Sequence, residues 1–145
     1  MTRQIDLSFM PELSNQNIFT KEEKLCSAKA IDALFSIGES FIAYPLRVVY
    51  LIHEESEFDK QSASVMISVP KRKFKRAVKR NRVKRLVREA YRLNKHGLIT
   101  LLNRQNKRMD IAFLYLKDEL PEFTEIEKSV LKAMSILSDK IEKGR

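Results

Sequence analysis

The apolar residues of this chain recur at three- and four-residue spacing in two regions, and this spacing predicts two amphipathic helices. The first helix follows a capping box formed by Thr20 and Glu23, and we expect Gly38 to end it in the left-handed conformation. The other helix is C-terminal: it starts at Pro121 and continues to about Ile141. The apolar stripes are Leu25, Ala28, Ile31, Leu34 and Phe35 in the first helix and Phe123, Ile126, Val130, Met134, Leu137 and Ile141 in the second.

Runs of β-branched and other apolar residues predict three strands, and residues 40–43 allow a short fourth strand. A basic helix lies between the second and third of these runs. The order α-β-β-α-β-α predicts the α+β class, an α/β sandwich in which helices pack on a small mixed sheet of three or four strands. The three predicted strands are residues 46–52, 62–69 and 109–116.

The chain of 145 residues has the size of one domain. Residues 1–19 are polar and without periodicity, which predicts an extended lead, and residues 20–145 form the predicted domain. The single cysteine, Cys26, excludes an internal disulfide and fits a reducing compartment. We find no apolar signal segment at the N-terminus and no run of about 18 apolar residues that could cross a membrane. We therefore expect a cytoplasmic protein.

Positive charge is concentrated in one segment, residues 71–95. This segment holds 13 of the 28 Lys and Arg residues and a single acid, Glu89. Its formal charge of +12 exceeds the +9 of the whole chain. A concentrated positive element suits a polyanion, because each neutralised phosphate releases a counterion. Nucleic acid is therefore the expected partner.

Wound at about 100° per residue, the basic segment forms a helix with an apolar and a cationic face. The helix begins near residue 78 or 79, after a basic loop at 71–76 that contains no glycine. Asn81 lies within the cationic face, where it either caps or solvates the helix or bonds a base edge, a 2′-hydroxyl or metal-bound water. The apolar face is Val83, Leu86, Val87, Ala90 and Leu93, the cationic face is Asn81, Lys84, Arg85, Arg88 and Arg92, and Arg80 and Arg82 flank the apolar face.

The string A-V-K-R-N-R-V-K-R-L-V-R-E-A at residues 77–90 resembles the signature of the bacterial ribonuclease P protein component. The wider layout agrees over roughly residues 20–141, including an aromatic residue and then a glycine at the end of the first helix, Phe35 and Gly38. The resemblance implies a left-handed β-α-β crossover around the basic helix. The general rule for such crossovers would predict the opposite hand.

The resemblance also implies a function, the 5′ maturation of precursor tRNA by a ribonucleoprotein endonuclease. The catalyst would be the RNA subunit, acting through Mg²⁺ that the RNA mainly holds. The protein would bind the RNA subunit on one surface and the single-stranded 5′ leader of the precursor in a cleft. We expect it to be a monomer within the holoenzyme and to perform no bond chemistry itself.

Individual site residues follow from matching this chain to the family. The leader cleft is expected at Phe35 and, one turn earlier, Ile31, with Tyr50 on the first long strand as a further candidate. Core packing is the alternative role for Phe35 and Tyr50. The candidate RNA-binding residues are Arg80, Asn81, Arg82, Lys84, Arg85 and Arg88 from the matched helix, and Arg92, Lys71, Arg72, Lys73 and Arg76 from the rest of the basic segment.

No catalytic or metal-binding motif is evident in the sequence. The two histidines, His53 and His96, lack the spacing of a zinc site. An alternative function is a ribosome-associated or other structured-RNA-binding protein, which would share the basic helix but would not depend on a 5′ leader. Residues 98–102 after Gly97 allow a short helix. A DNA-binding regulator is disfavoured, because Gly97 and then a strand follow the basic helix and no second helix is joined to it by a short turn.

Overall fold

The structure, a computed structural model, describes residues 21–54 and 62–143. Four α-helices and four strands lie in this part of the chain, in the order α-β-β-β-α-α-β-α. The α+β class is therefore confirmed, with β1 as the short additional strand. The elements are α1 (Ala28–Ile37), β1 (Glu39–Ala43), β2 (Leu46–His53), β3 (Ala63–Ser68), α2 (Ala77–Asn94), α3 (His96–Arg104), β4 (Arg108–Tyr115) and α4 (Phe123–Glu142).

The strands form one mixed sheet in the order β1-β2-β4-β3. β1 pairs with β2 and β2 with β4 in antiparallel fashion, whereas β3 and β4 are parallel. The chain passes from β3 to its parallel neighbour β4 through α2 and α3. The basic helix α2 is therefore part of a β-α-β crossover. The left-handedness of this crossover stays a prediction from the family resemblance.

The two faces of the sheet are covered unequally. One face packs against α2, α3 and α4 and forms the main core, with Phe113 and Tyr91 among its fully buried residues. On the other face, Leu34 of α1 packs on Val49 and Ala112 in a much smaller cluster. Among the described residues, α1 and Leu25 before it therefore cover part of that face and leave another part open.

The segment before α1 differs from the predicted capping box. The carboxylate of Glu23 accepts hydrogen bonds from the Lys95 ammonium at 2.7 and 2.9 Å, and both side chains are buried. The backbone N–H of Leu25 donates to the carbonyl of Val65 on β3, which holds this segment along the sheet edge. Ser27 instead caps α1 by accepting from the backbone N–H of Ala30. The predicted role of Glu23 is wrong, because a buried ammonium is a stronger partner than a helix N–H, and Thr20 lies outside the described residues.

Gly38 follows α1 as predicted, but its conformation is different. Its φ of −74° and ψ of 165° are extended, so the left-handed stop is wrong. A methyl group at this position would collide with the backbone oxygen of Leu34 and would lie 2.8 Å from that of Tyr50. The position therefore requires glycine for space, at the point where the chain leaves α1 and passes close to β2.

A second helix does follow the basic one. Lys95 alone separates α2 from α3, and Gly97 lies within the first turn of α3. The short helix allowed at residues 98–102 is confirmed, with Leu98, Leu101 and Leu102 buried, but it begins before Gly97 and follows the basic helix directly. The absence of a second helix therefore no longer speaks against a DNA-binding regulator.

Candidate nucleic-acid interface

The apolar stripe anchors α2 to the main core, but it is rotated from the predicted position. Val83, Val87 and Ala90 are fully buried as expected, whereas Leu93 is 40% exposed. Tyr91, which the predicted stripe omits, is fully buried and packs against Phe113 at 6.1 Å between ring centroids. At 100° per residue, Tyr91 and Leu93 lie about 80° to either side of Val83. Tyr91 therefore faces the core and Leu93 does not. The spacing of apolar residues alone did not determine which of the two is buried.

The opposite side of α2 presents unpaired cations. Arg82 and Arg85 are exposed, as is the amide of Asn81, and Lys84 and Arg88 are half-buried. Within residues 21–54 and 62–143, no carboxylate forms an ion pair with these four cations. Their donors are therefore free to bind phosphate, and arginine can do so through two parallel N–H groups. We now call Asn81, Arg82, Lys84, Arg85 and Arg88 the cationic face of α2: compared with the predicted face, exposed Arg82 is added and Arg92, which pairs with Glu89, is left out.

Two of the predicted RNA-binding residues already have protein partners. The guanidinium of Arg80 donates from Nη1 to the carbonyls of Phe74 and Lys75, at 2.8 and 2.9 Å. Arg92 donates to the carboxylate of Glu89 at 2.6 and 3.1 Å, and these hydrogen bonds hold the pKa of that carboxyl below its usual range. Arg80 thus fixes the basic loop, and the charge of Arg92 is balanced locally.

The basic loop at 71–76 is ordered by one buried aromatic residue. Phe74 is 7% exposed and stacks with Tyr115, with ring centroids 6.1 Å apart. Lys71, Arg72 and Arg76 are exposed and Lys73 is half-buried, so this loop adds cations beside the start of α2. A surface pocket of about 460 Å³ separates the loop from Asp118 and Glu119.

A recess of about 190 Å³ joins α2 to the segment that leads into α1. Lys84 and Arg88 border it from α2, Lys24 borders it from the leading segment, and Met66 contributes from β3. Met66 also belongs to the cluster around Leu34 on the α1 side of the sheet. The cationic face of α2 therefore continues onto the sheet face that carries α1.

Phe35 lines an open groove on that same sheet face. Its ring is 46% exposed, and the groove of about 300 Å³ is bordered by Phe35 and Gly38 from the α1 end and by strand residues. Ile31, one turn earlier on α1, is half-buried. An exposed phenyl ring beside a groove can stack on an unpaired base with little sequence preference. The strand residues are Ser40, Arg47, Val49 and Leu114, of which sequence reasoning missed Arg47.

Tyr50 does not belong to this groove. It is 4% exposed and lies in the main core on the opposite face of the sheet, 5.9 Å from the ring of Phe41. Burial and a hydrogen bond from its hydroxyl to Glu39 raise the pKa of Tyr50 to about 12. Its prediction as a cleft residue is wrong, because side chains alternate between the two faces along a strand and Val49 occupies the groove side.

Comparison with known proteins agrees with this architecture. The family model described as Ribonuclease P matches residues 19–138. The chain is similar to the ribonuclease P protein component of Porphyromonas gingivalis, with 47% identity over 79% of this chain and 82% of the relative. It is also similar to that of Chlorobium phaeobacteroides, with 33% identity over 81% of this chain and 86% of the relative. The chain therefore belongs to the ribonuclease P protein family.

Two solved structures share the fold. The ribonuclease P protein of Thermotoga maritima aligns with a TM-score of 0.61 and 24% identity, covering 79% of this chain and 96% of that protein. The Staphylococcus aureus protein aligns with the same TM-score and 18% identity, covering 79% and 94%.

Membership of this family makes the chain the protein subunit of a tRNA-processing ribonucleoprotein endonuclease, whose catalysis lies in the RNA subunit. Within the described residues, no group of three or more His, Cys, Asp or Glu side chains is arranged to hold a metal ion. Nor is any helix in this part of the chain both long and apolar enough to cross a membrane.

Proposed function

We propose that the cationic face of α2 binds the RNA subunit and that the Phe35 groove binds the single-stranded 5′ leader of precursor tRNA. The observation that carries this proposal is the continuity of the two surfaces. Lys84 and Arg88 border a recess that reaches Met66, on the sheet face where α1 lies and the Phe35 groove opens. The RNA subunit would bind to α2 and hold the precursor tRNA there. The single-stranded leader of that precursor would then extend along the sheet face that carries α1.

The cationic face suits a folded RNA because it lies on an anchored helix and its cations form no ion pair with the described residues. Val83, Val87 and Ala90 hold α2 on the core, so the opposite side presents its arginines at the pitch of a helix. Arginine grips phosphate with two parallel donors, and a fixed helix loses little entropy when it binds. The exposed cations of the basic loop, among them Arg72 and Arg76, extend this surface toward the start of α2.

The groove suits an unpaired strand because one aromatic face is open at its border. A base in a duplex is already stacked on both sides, so Phe35 can stack only on a base that is free. The leader is the single-stranded part of the precursor, whereas mature tRNA lacks it. The groove would therefore distinguish substrate from product.

The remaining features of the proposal concern the holoenzyme. Mg²⁺ would be held mainly by the RNA subunit, where bound metal stabilises the developing charge of in-line hydrolysis. The protein would enter the holoenzyme as a monomer, in the cytoplasm. Its contribution would be to strengthen binding of the precursor at Mg²⁺ concentrations that are too low for the RNA alone.

The variant Phe35→Ala tests the leader groove. The holoenzyme carrying it should bind precursor tRNA roughly fivefold to 150-fold more weakly, since stacking contributes about 1–3 kcal/mol per base. Its affinity for mature tRNA should be unchanged. Equilibrium binding of both tRNAs to the reconstituted holoenzyme measures the two effects. Equal losses for the two tRNAs would contradict the proposal and leave Phe35 with a packing role.

A further inference from the structure

Arg47 occupies an unusual position for a charged residue. It lies in β2, an interior strand of the sheet, opposite Ile42 of β1 and Leu114 of β4. Its side chain is on the α1 side of the sheet, yet it is exposed, because Leu34 of α1 covers Val49 and Ala112 and leaves Arg47 open. A cation here stands on the floor of the Phe35 groove.

The guanidinium of Arg47 is available for a ligand. Its closest hydrogen-bond partner in the structure is the hydroxyl of Ser40, which accepts from Nη2 at a long 3.4 Å. Among the residues that the structure describes, no carboxylate forms an ion pair with it. Within the described part of the chain, the other donors of its five N–H groups have no hydrogen-bond partner, and the Ser40 hydroxyl retains its own proton to donate.

The groove combines the two groups that a nucleotide unit needs. Phe35 offers an exposed ring to a base, and Arg47 is the one cation among the described residues that line the groove. A volume of about 300 Å³ is at the lower end of the range for sites that take a small molecule. Non-specific single-strand sites pair stacking aromatics with cations that follow the backbone in this way.

We infer that Arg47 binds a backbone phosphate of the 5′ leader, next to the base that stacks on Phe35. This inference rests on the proposed function of the groove and adds to it a specific contact between Arg47 and a phosphate. Arg47 is separable from the surface for the RNA subunit, because β4 lies between β2 and β3, which places about 10 Å of sheet between Arg47 and the strand that borders α2. The contact would fix the position of the leader along the groove.

The test measures precursor tRNA binding to holoenzyme reconstituted with Arg47→Ala. Affinity should fall about fivefold, and the plot of log affinity against log salt should become shallower by about 0.7, the contribution of one phosphate on a single strand. Arg47→Lys should restore the salt slope, since it keeps the charge, but not the full affinity, since it loses the planar fork. Lys132→Ala, which removes an exposed cation of α4, is the matched control and should change neither quantity.

Neutral methylphosphonate linkages placed one at a time in the leader identify the contact. One position should weaken binding to the wild-type holoenzyme, and the same linkage should have no further effect on Arg47→Ala. Additive losses at every position, or an unchanged affinity and salt slope in Arg47→Ala, would overturn the inference. If Phe35→Ala nevertheless weakens binding of precursor tRNA and leaves that of mature tRNA unchanged, the leader groove stands without Arg47. If neither variant affects the leader, the proposed function of the groove fails as well.

Discussion

The arginines of α2 differ in their hydrogen-bond and ion-pair partners, although all of them lie in the same basic segment of the sequence. Arg80 donates to two carbonyls of the basic loop, Arg92 is paired with Glu89, and Arg85 is exposed without an ion-pair partner among the described residues. An exposed unpaired arginine contributes to binding, whereas one bonded to the backbone contributes to folding. The two roles can be separated by measuring both affinity and stability.

Arg85→Ala should weaken binding of the RNA subunit roughly fivefold and make the salt dependence shallower by about 1, the effect of one lost phosphate contact. Its thermal midpoint should not change, because Arg85 is exposed and forms no ion pair among the described residues. Arg80→Ala should lower the free energy of unfolding by about 1–2 kcal/mol, because it leaves the carbonyls of Phe74 and Lys75 without their donor. Filter binding over a salt series and thermal denaturation measure these effects.

Lys132→Ala again serves as the control for a change of one exposed positive charge. An Arg85→Ala variant that binds with wild-type affinity and salt slope would exclude this residue from the interface. An Arg80→Ala variant with unchanged stability would show that its two hydrogen bonds in the loop are dispensable.

More residues of the cationic face than of the groove could be assigned from the residue pattern. The like charges around Asn81 follow directly from helical spacing, and Phe35 was identified by its match to the family. Tyr50 and Arg47 could not be assigned in this way, because strand alternation says which residues share a face but not which face α1 leaves open. A charged residue within an otherwise apolar strand was the available signal for Arg47.

At the scale of elements, the ends of helices were less predictable than their apolar stripes. α4 buries Ile126, Val130 and Leu137 as its spacing predicts. α1 starts later than expected, because Glu23 is withdrawn into a buried ion pair with Lys95 and Leu25 bonds to β3. Such partners are distant in sequence, and no local pattern identifies them.

Substitution by alanine should have opposite effects on stability at the two glycines that the structure describes. Gly38→Ala should destabilise the protein by at least about 2 kcal/mol, because the new methyl group would meet the carbonyl oxygens of Leu34 and Tyr50. Gly97→Ala is the matched control, since nothing lies within 4 Å of its added methyl group and the residue is helical. It should stabilise the protein by up to about 0.5–1 kcal/mol.

Urea unfolding of the two glycine variants beside the wild type measures both changes. Gly38→Ala with wild-type stability would mean that the junction of α1 and β1 can shift to admit a methyl group. A destabilised Gly97→Ala would mean that the first turn of α3 does not tolerate a side chain at this position.

At the scale of the whole molecule, the fold places the two proposed binding surfaces around one sheet, outside the main core. The main core lies between the sheet and the helices α2, α3 and α4, and α1 covers only part of the other face. The class and the order of the elements other than α3 could be predicted, because each long element carries its own periodicity. The hand of the crossover could not, because periodicity contains no information on how a helix passes over a sheet.

The most direct test of the account is cleavage of precursor tRNA by the RNA subunit of the same organism at low Mg²⁺, with and without this protein. RNA alone should be slow under these conditions, and addition of the protein should give rapid cleavage at the mature 5′ end. The stimulation should be smaller for a precursor whose leader is too short to reach the Phe35 groove. Failure of the protein to stimulate an RNA that is active at high Mg²⁺ would contradict its role as the subunit that binds RNA and leader.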